Sequence, residues 1–163
     1  MSDVIAPVAA VFFPYIGGFP SGSITRTHMR WYESLKKPPW CPPNNFFSPV
    51  WMVLYGSMGY ASYLTWRDGR GFDGAALPLA LYSTQLALNW AWTPIFFSAR
   101  SIKWALIDMV CLWGAIAGTT YLFHGINQTA SYLMLPYLGW VSFASALVFN
   151  IWRNNPDTTK IKE

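Results

Sequence analysis

Charge is what this chain has least of. Only 11% of its 163 residues are Asp, Glu, Lys or Arg, against about 25% in a typical soluble domain. So few charges do not cover the surface of a water-soluble protein of this size, and a membrane protein is the natural reading. Cysteine and histidine are nearly missing as well. Cys41 falls in a loop and Cys111 in an apolar run, with no CxxC or metal spacing, so no structural disulfide is expected. His28 and His124 stand apart from any Cys or carboxylate cluster, and no metal site is expected. There is no Ser-His-Asp arrangement, no phosphate loop and no dinucleotide fingerprint. The net charge of +4 is not gathered on one amphipathic element, which argues against a nucleic-acid partner. The N-terminus lacks both a positive n-region and a clear small-residue cleavage site. It reads as a retained first span and not as a cleaved signal peptide.

What the chain does have is apolar and aromatic. Hydrophobic residues make up 53% and aromatics 18%, with ten Trp. Five apolar runs, roughly 4–24, 46–66, 77–97, 104–123 and 131–152, reach the ~20 residues a helix needs to cross hydrocarbon. Helices satisfy their own backbone in lipid, where irregular segments do not. The expected fold is therefore an all-α membrane protein: a bundle of five transmembrane helices over residues 1–153, followed by a disordered cytoplasmic tail over 154–163. The gaps carry break signals, among them Pro38-Pro39, Pro42-Pro43 and Asp68-Gly69. Basic residues sort by side. Arg26, Arg30, Lys36, Lys37, Arg100, Lys103, Arg153, Lys160 and Lys162 fall on one side, and only Arg67 and Arg70 on the other. That asymmetry predicts a cytoplasmic first loop and C-terminus.

The third run is unusual. Tyr82, Gln85, Asn89 and Trp92 share one helical face, where a plain lipid anchor would carry Leu and Val. Two readings stand side by side: a polar-aromatic pocket wall, or amides that only bond neighbouring helices. The other face carries Ser83, Ala87 and Ala91, a small-residue ladder that predicts a dimer seam. The fourth run places Trp104 and Asp108 one turn apart. An intramembrane carboxylate is a functional candidate, unless it pairs with nearby Arg100 or Lys103. On the fifth run Trp140, Phe143, Ala144 and Leu147 share a face. Leu147, Phe149 and Arg153 approach the proposed cholesterol pattern, with Phe149 where that pattern needs Tyr. The first loop, at about 20 residues, is long for a compact domain and is expected to fold back as a lid.

Several motifs occur in fixed order. They include Gly17-Gly18-Phe19, Trp31-Tyr32-x-x-Leu35-x-Lys37-Pro38-x-Trp40, Pro49-x-Trp51-x-x-Leu54-Tyr55, Gln85-Leu86-Ala87-Leu88-Asn89-Trp90-Ala91-Trp92, Trp104-Ala105-Leu106-x-Asp108 and Pro136-Tyr137-Leu138-x-Trp140. Across about Pro14 to Arg153 the chain resembles the translocator protein family, also called peripheral benzodiazepine receptors and tryptophan-rich sensory proteins. The resemblance implies a usually homodimeric five-helix bundle that binds porphyrins such as protoporphyrin or haem, cholesterol and benzodiazepine-type drugs under the first loop. It implies a role in sterol or tetrapyrrole transport and homeostasis. It implies a cavity lined or bordered by Tyr32, Trp40, Phe47, Trp51, Asn89, Trp92, Trp104, Asp108, Trp140, Phe143, Ala144 and Leu147. Trp51 and Trp140 match the tryptophans that bacterial relatives need for light- and oxygen-dependent porphyrin breakdown, the alternative, enzymatic reading. No cofactor is required; porphyrin enters as a ligand, and membrane lipid is the surrounding partner. Localisation to the mitochondrial outer membrane, with the C-terminus cytosolic, follows from resemblance to eukaryotic members.

Overall fold

The computed structural model describes residues 2–156, and every regular element among them is helical. The elements are α1 (Ser2–Phe12), α2 (Tyr15–Thr27), α3 (Met29–Ser34), α4 (Asn44–Asp68), α5 (Phe72–Thr93), a π-helical turn (Pro94–Ser98), α6 (Ile102–His124) and α7 (Gln128–Asn154). Most of the expected tail lies outside the described residues.

The first run is not the single helix anticipated. It breaks at Phe13 and Pro14, because proline removes an N–H from the helical ladder. The two halves still read together as one apolar stretch, Val4–Thr27, long enough to cross a membrane. Ile102–His124 and Gln128–Asn154 meet the same length and hydropathy requirement. Helices α4 and α5, with 25 and 22 residues, have the length. Their mean hydropathy is held down by polar groups such as Ser62, Thr65, Gln85 and Asn89, all buried inside the fold. Helix α5 also begins five residues before the expected start, so the second loop shrinks to residues 69–71.

The helices form a ring. Helix α1 packs on α4, α4 on α7, α7 on α6 and α6 on α5, and α2 closes against α5. Two contacts set how closely the first run docks. A Cβ on Gly59 would sit 2.5 Å from the Ala10 carbonyl oxygen, and one on Gly17 would sit 2.3 Å from the Trp90 ring. Only glycine permits such approach. Trp90 Nε1 then donates to the Pro14 carbonyl at the break, 3.1 Å. Asn127 caps α7 by accepting from Ala130 N at 2.8 Å. Pro136 removes a donor inside α7, and nearby the Leu133 carbonyl accepts from Ser57 Oγ at 3.0 Å.

The outer surface carries large apolar side chains: Val53 is 70% exposed, Phe72 71% and Leu77 69%. Water does not tolerate such a band, whereas a bilayer does. Together with the apolar helices this marks an integral membrane protein. The first loop and the end of α7 share one end of the bundle. There the Asn155 side chain accepts from Lys36 N and donates to the Lys36 carbonyl, both at 3.0 Å. The opposite end is tied by Asn127 Nδ2, which donates to Asp68. The first loop is not structureless: α3 lies within it, and only residues 35–43 are irregular.

Candidate functional site

The buried amides of α5 are held by tyrosines. Tyr55 Oη donates to Asn89 Oδ1 at 2.6 Å, Asn89 Nδ2 donates to Tyr137 Oη at 3.0 Å, and Tyr137 Oη donates to Gln85 Oε1 at 2.9 Å. Gln85 Nε2 faces Met58 Sδ at 3.9 Å. Each group is oriented by the next, and the chain links α4, α5 and α7. Asn89 is thus enclosed by two phenols. Sequence reasoning assigned no site role to Tyr55 and Tyr137. The signal available was chemical: two buried amides need donors and acceptors, and these tyrosines stand in the apolar runs that face them.

Above this layer, toward the first-loop end, the interior is aromatic. Trp51 contacts Tyr55 and Tyr137, with ring centroids 5.5 and 6.1 Å apart. Trp140 is wedged between Phe46 and Phe47 of α4 and Phe143 of its own helix, at 5.6–6.2 Å. Trp40, from the loop, continues the wall by meeting Phe143 edge-on at 5.7 Å. The Trp140 indole N–H is buried with no hydrogen-bond partner, although a buried indole N–H usually finds one. Ala144 is half-buried beside this wall and Leu147 is buried below the loop.

A second aromatic cluster carries Trp92 and Tyr32. Pro94 has no N–H, and the helix widens into the π turn, with Ala99 N donating to the Pro94 carbonyl at 2.9 Å. This turns both Phe96 and Phe97 inward. Trp92 stacks on Phe96 at 4.8 Å, and Trp31 meets Phe96 edge-on at 5.5 Å. Tyr32 packs on both phenylalanines. Its hydroxyl lies 3.6 Å from Cys41 Sγ, and burial, then Cys41, raises its pKa well above the usual tyrosine range. Lys37 Nζ sits 4.6 Å over the Tyr32 ring and donates to the Tyr32 carbonyl at 2.8 Å. The loop is therefore fastened to the bundle by α3, Lys37 and Asn155.

Trp104 and Asp108 stand elsewhere. Trp104 is 63% exposed, and with Asp108 it lines an outward groove of about 480 Å³ between α5 and α6. One Asp108 oxygen is buried there without a hydrogen-bond partner. The three residues of the approximate cholesterol pattern do not share a surface. Leu147 points inward, while Phe149 and Arg153 are exposed. On α5 the two faces separate as the periodicity predicts: Tyr82, Gln85 and Asn89 are buried, whereas Ser83 and Ala87 are exposed and Ala91 is intermediate. Among the described residues no His, Cys, Asp or Glu cluster could hold a metal ion.

A ring of membrane helices, an amide–tyrosine core and an aromatic end under a fastened loop define a helical integral membrane protein with a tryptophan-lined interior. Comparison with known proteins gives the lineage. The TspO/MBR family model matches residues 10–153, and the chain belongs to that family. It is 43% identical over 153 residues to the Bos taurus Translocator protein, covering 93% of this chain and 90% of the relative. It is 48% identical over 128 residues to the Homo sapiens Translocator protein, covering 78% and 76%. Protein CrtK of Rhodobacter capsulatus is 37% identical over 126 residues, covering 77% and 79%.

Proposed function

We propose that this chain is a five-span membrane receptor that binds large apolar ring compounds, porphyrins and sterols among them, at the aromatic end of the bundle, with a role in their transport or homeostasis. The observation that carries this is Trp140: an indole within a continuous aromatic wall from Trp40 to Phe47, its N–H buried and unspent. A planar tetrapyrrole stacks on such walls, and a carboxylate or carbonyl on the ligand accepts a hydrogen bond from the indole N–H. The first loop acts as the cover, fastened by α3 and Asn155. The small-residue face of α5 at Ser83, Ala87 and Ala91 serves as the homodimer seam. In the mitochondrial outer membrane the basic, loop-bearing end faces the cytosol. The test is a protoporphyrin titration of the tryptophan fluorescence in lipid nanodiscs. Trp140→Ala and Trp51→Ala should each weaken binding by about tenfold, the equivalent of ~1.4 kcal/mol. Unchanged affinity in both variants removes this pocket.

The contacts of Trp51 favour a second reading, light-driven porphyrin degradation with dioxygen as oxidant. Two phenols lie against this indole, so an oxidised Trp51 has electron donors at hand. Illumination of the porphyrin-loaded protein decides between the readings. If Trp51→Phe bleaches porphyrin as fast as the wild type, the enzymatic reading fails.

A further inference from the structure

The outward groove between α5 and α6 holds a carboxyl that the fold does not use. Leu88 and Ile95 form one wall, and Trp104, Ile107 and Cys111 the other, with Asp108 among them. One Asp108 oxygen is buried without a hydrogen-bond partner. Among the described residues no base forms an ion pair with it. Lys103 is close in sequence, but at about 100° per residue it leaves α6 roughly 140° round the axis from Asp108. Ser101, the other polar group of the groove, is engaged as the cap of α6, accepting from Trp104 N at 3.5 Å. A lone carboxyl beside hydrocarbon is costly unless something pairs with it, so an unspent acid in a lipid-open groove points to a partner that arrives from outside. None of the lining residues is Ser83, Ala87 or Ala91, so the groove lies beside the proposed dimer seam and not on it.

Charge and depth narrow that partner. Asp108 stands six residues beyond the start of α6 at Ile102, about 9 Å along the axis at 1.5 Å per residue. The ammonium of a phospholipid rides outside its phosphate, too shallow, and brings a compensating negative charge with it. A sterol or fatty alcohol brings a hydroxyl but no charge. The complement of an unpaired carboxyl is a cation carried directly on an alkyl chain, which sinks with its chain to that depth. A slot between two helices, walled by Leu88, Ile95 and Ile107, takes one such chain and removes its apolar surface from disordered lipid contact. Trp104, one turn from Asp108 and 63% exposed, adds an aromatic ring that attracts the same cation.

We infer that this groove is a second binding site, for a single-chain lipid amine of the sphingoid-base class, with the Asp108 carboxylate accepting hydrogen bonds from the ammonium and the alkyl chain lying between α5 and α6. The site faces lipid, whereas the aromatic wall from Trp40 to Phe47 lies under the first loop.

The test uses the full chain in phosphatidylcholine nanodiscs and a sphingosine with a photoreactive diazirine in its chain, with labelled peptides mapped by mass spectrometry. Saturable labelling should fall on segments containing Leu88, Ile95, Ile107 or Cys111 and persist under saturating protoporphyrin. Plain sphingosine should compete for it. N-acetylsphingosine, which keeps the chain and hydroxyls but loses the charge, should compete at least tenfold less well. Asp108→Asn keeps the shape and loses the charge, and should weaken labelling about tenfold. Ile107→Trp, at a position 42% exposed, fills the groove and keeps Asp108; it should abolish labelling and serves if Asp108→Asn fails to fold. Labelling spread evenly over the chain, displacement by protoporphyrin, equal competition by N-acetylsphingosine or cholesterol, or full labelling of either variant would each overturn the assignment. Failure of the porphyrin titration above leaves this outcome untouched, so the two proposals fail separately.

Discussion

Replacing Tyr137 by Phe removes one oxygen from the centre of the bundle and leaves the ring in place. Two hydrogen bonds go with it: the one Tyr137 donates to Gln85 and the one it accepts from Asn89. Both amides are buried, and neither can turn to water. An orphaned buried polar group costs ~1–3 kcal/mol, which for two groups gives several kcal/mol. Interhelical hydrogen bonds in membrane proteins average only ~0.6 kcal/mol each, which sets a floor near 1 kcal/mol. A loss of about 2 kcal/mol lies between these limits, a fall of about 4–8 °C in melting temperature for a chain of this size. Tyr55→Phe breaks a single bond, to Asn89, and should cost about half as much. In the double variant Tyr137→Phe with Gln85→Leu, the partner left stranded is also removed, so the combined loss should be smaller than the sum. The assay is thermal unfolding in detergent micelles followed by circular dichroism. If Tyr137→Phe melts with the wild type, or Tyr55→Phe is the more damaging change, the directional chain from Tyr55 to Gln85 does not hold this core together.

Other consequences are equally direct. Gly59→Ala should lower stability by ~2 kcal/mol or more, because the new Cβ meets backbone of α1 that cannot rotate away; the same unfolding assay reads it. Asn155→Ala should leave the helical content intact but raise the rate at which protease cuts residues 35–43, since both backbone groups of Lys36 lose their partner. The carboxyl of Asp68 is held below the usual range by Arg67 and then by Asn127. A depressed folded-state pKa gives stability that is present above the unfolded value and lost as pH falls through the folded one, so the contribution fades below about pH 4. Asp68→Asn should flatten that acid limb by lowering the melting temperature slightly at neutral pH, and should converge with the wild type in acid.

Much of the frame was readable from the chain alone. Apolar runs separated by Pro38-Pro39, Asp68-Gly69 and Gly125 mark where helices stop, because proline and glycine act locally. The split of α5 into a buried Gln85–Asn89 face and an exposed Ser83–Ala87 face follows from helical periodicity. Partners across helices were not readable. Periodicity shows that Asn89 faces inward, but not that Tyr55 and Tyr137 meet it there. Of the two readings open for the α5 amides, their hydrogen bonds are those of the helix-bonding one. The residues expected to line one cavity divide among an aromatic wall, the cluster around Phe96, and an outward groove at Trp104. The Phe96 cluster depends on the π turn at Pro94–Ser98, and a proline alone does not reveal which way a helix widens.

The clasp at Asn155 bears on assembly. Its two bonds reach Lys36 across 119 positions of chain, so a residue near the start waits for one near the end. During synthesis the first loop is made early, while its fastening is delivered only after the last helix has been threaded. Until then the loop is held by α3 against Phe96 and Phe97 and by the local contact of Lys37 with Tyr32. Because Asn155 grips backbone, the side chain at position 36 is left free to vary, whereas position 155 is not. The final helix thus acts as the completion signal for a feature laid down at the beginning.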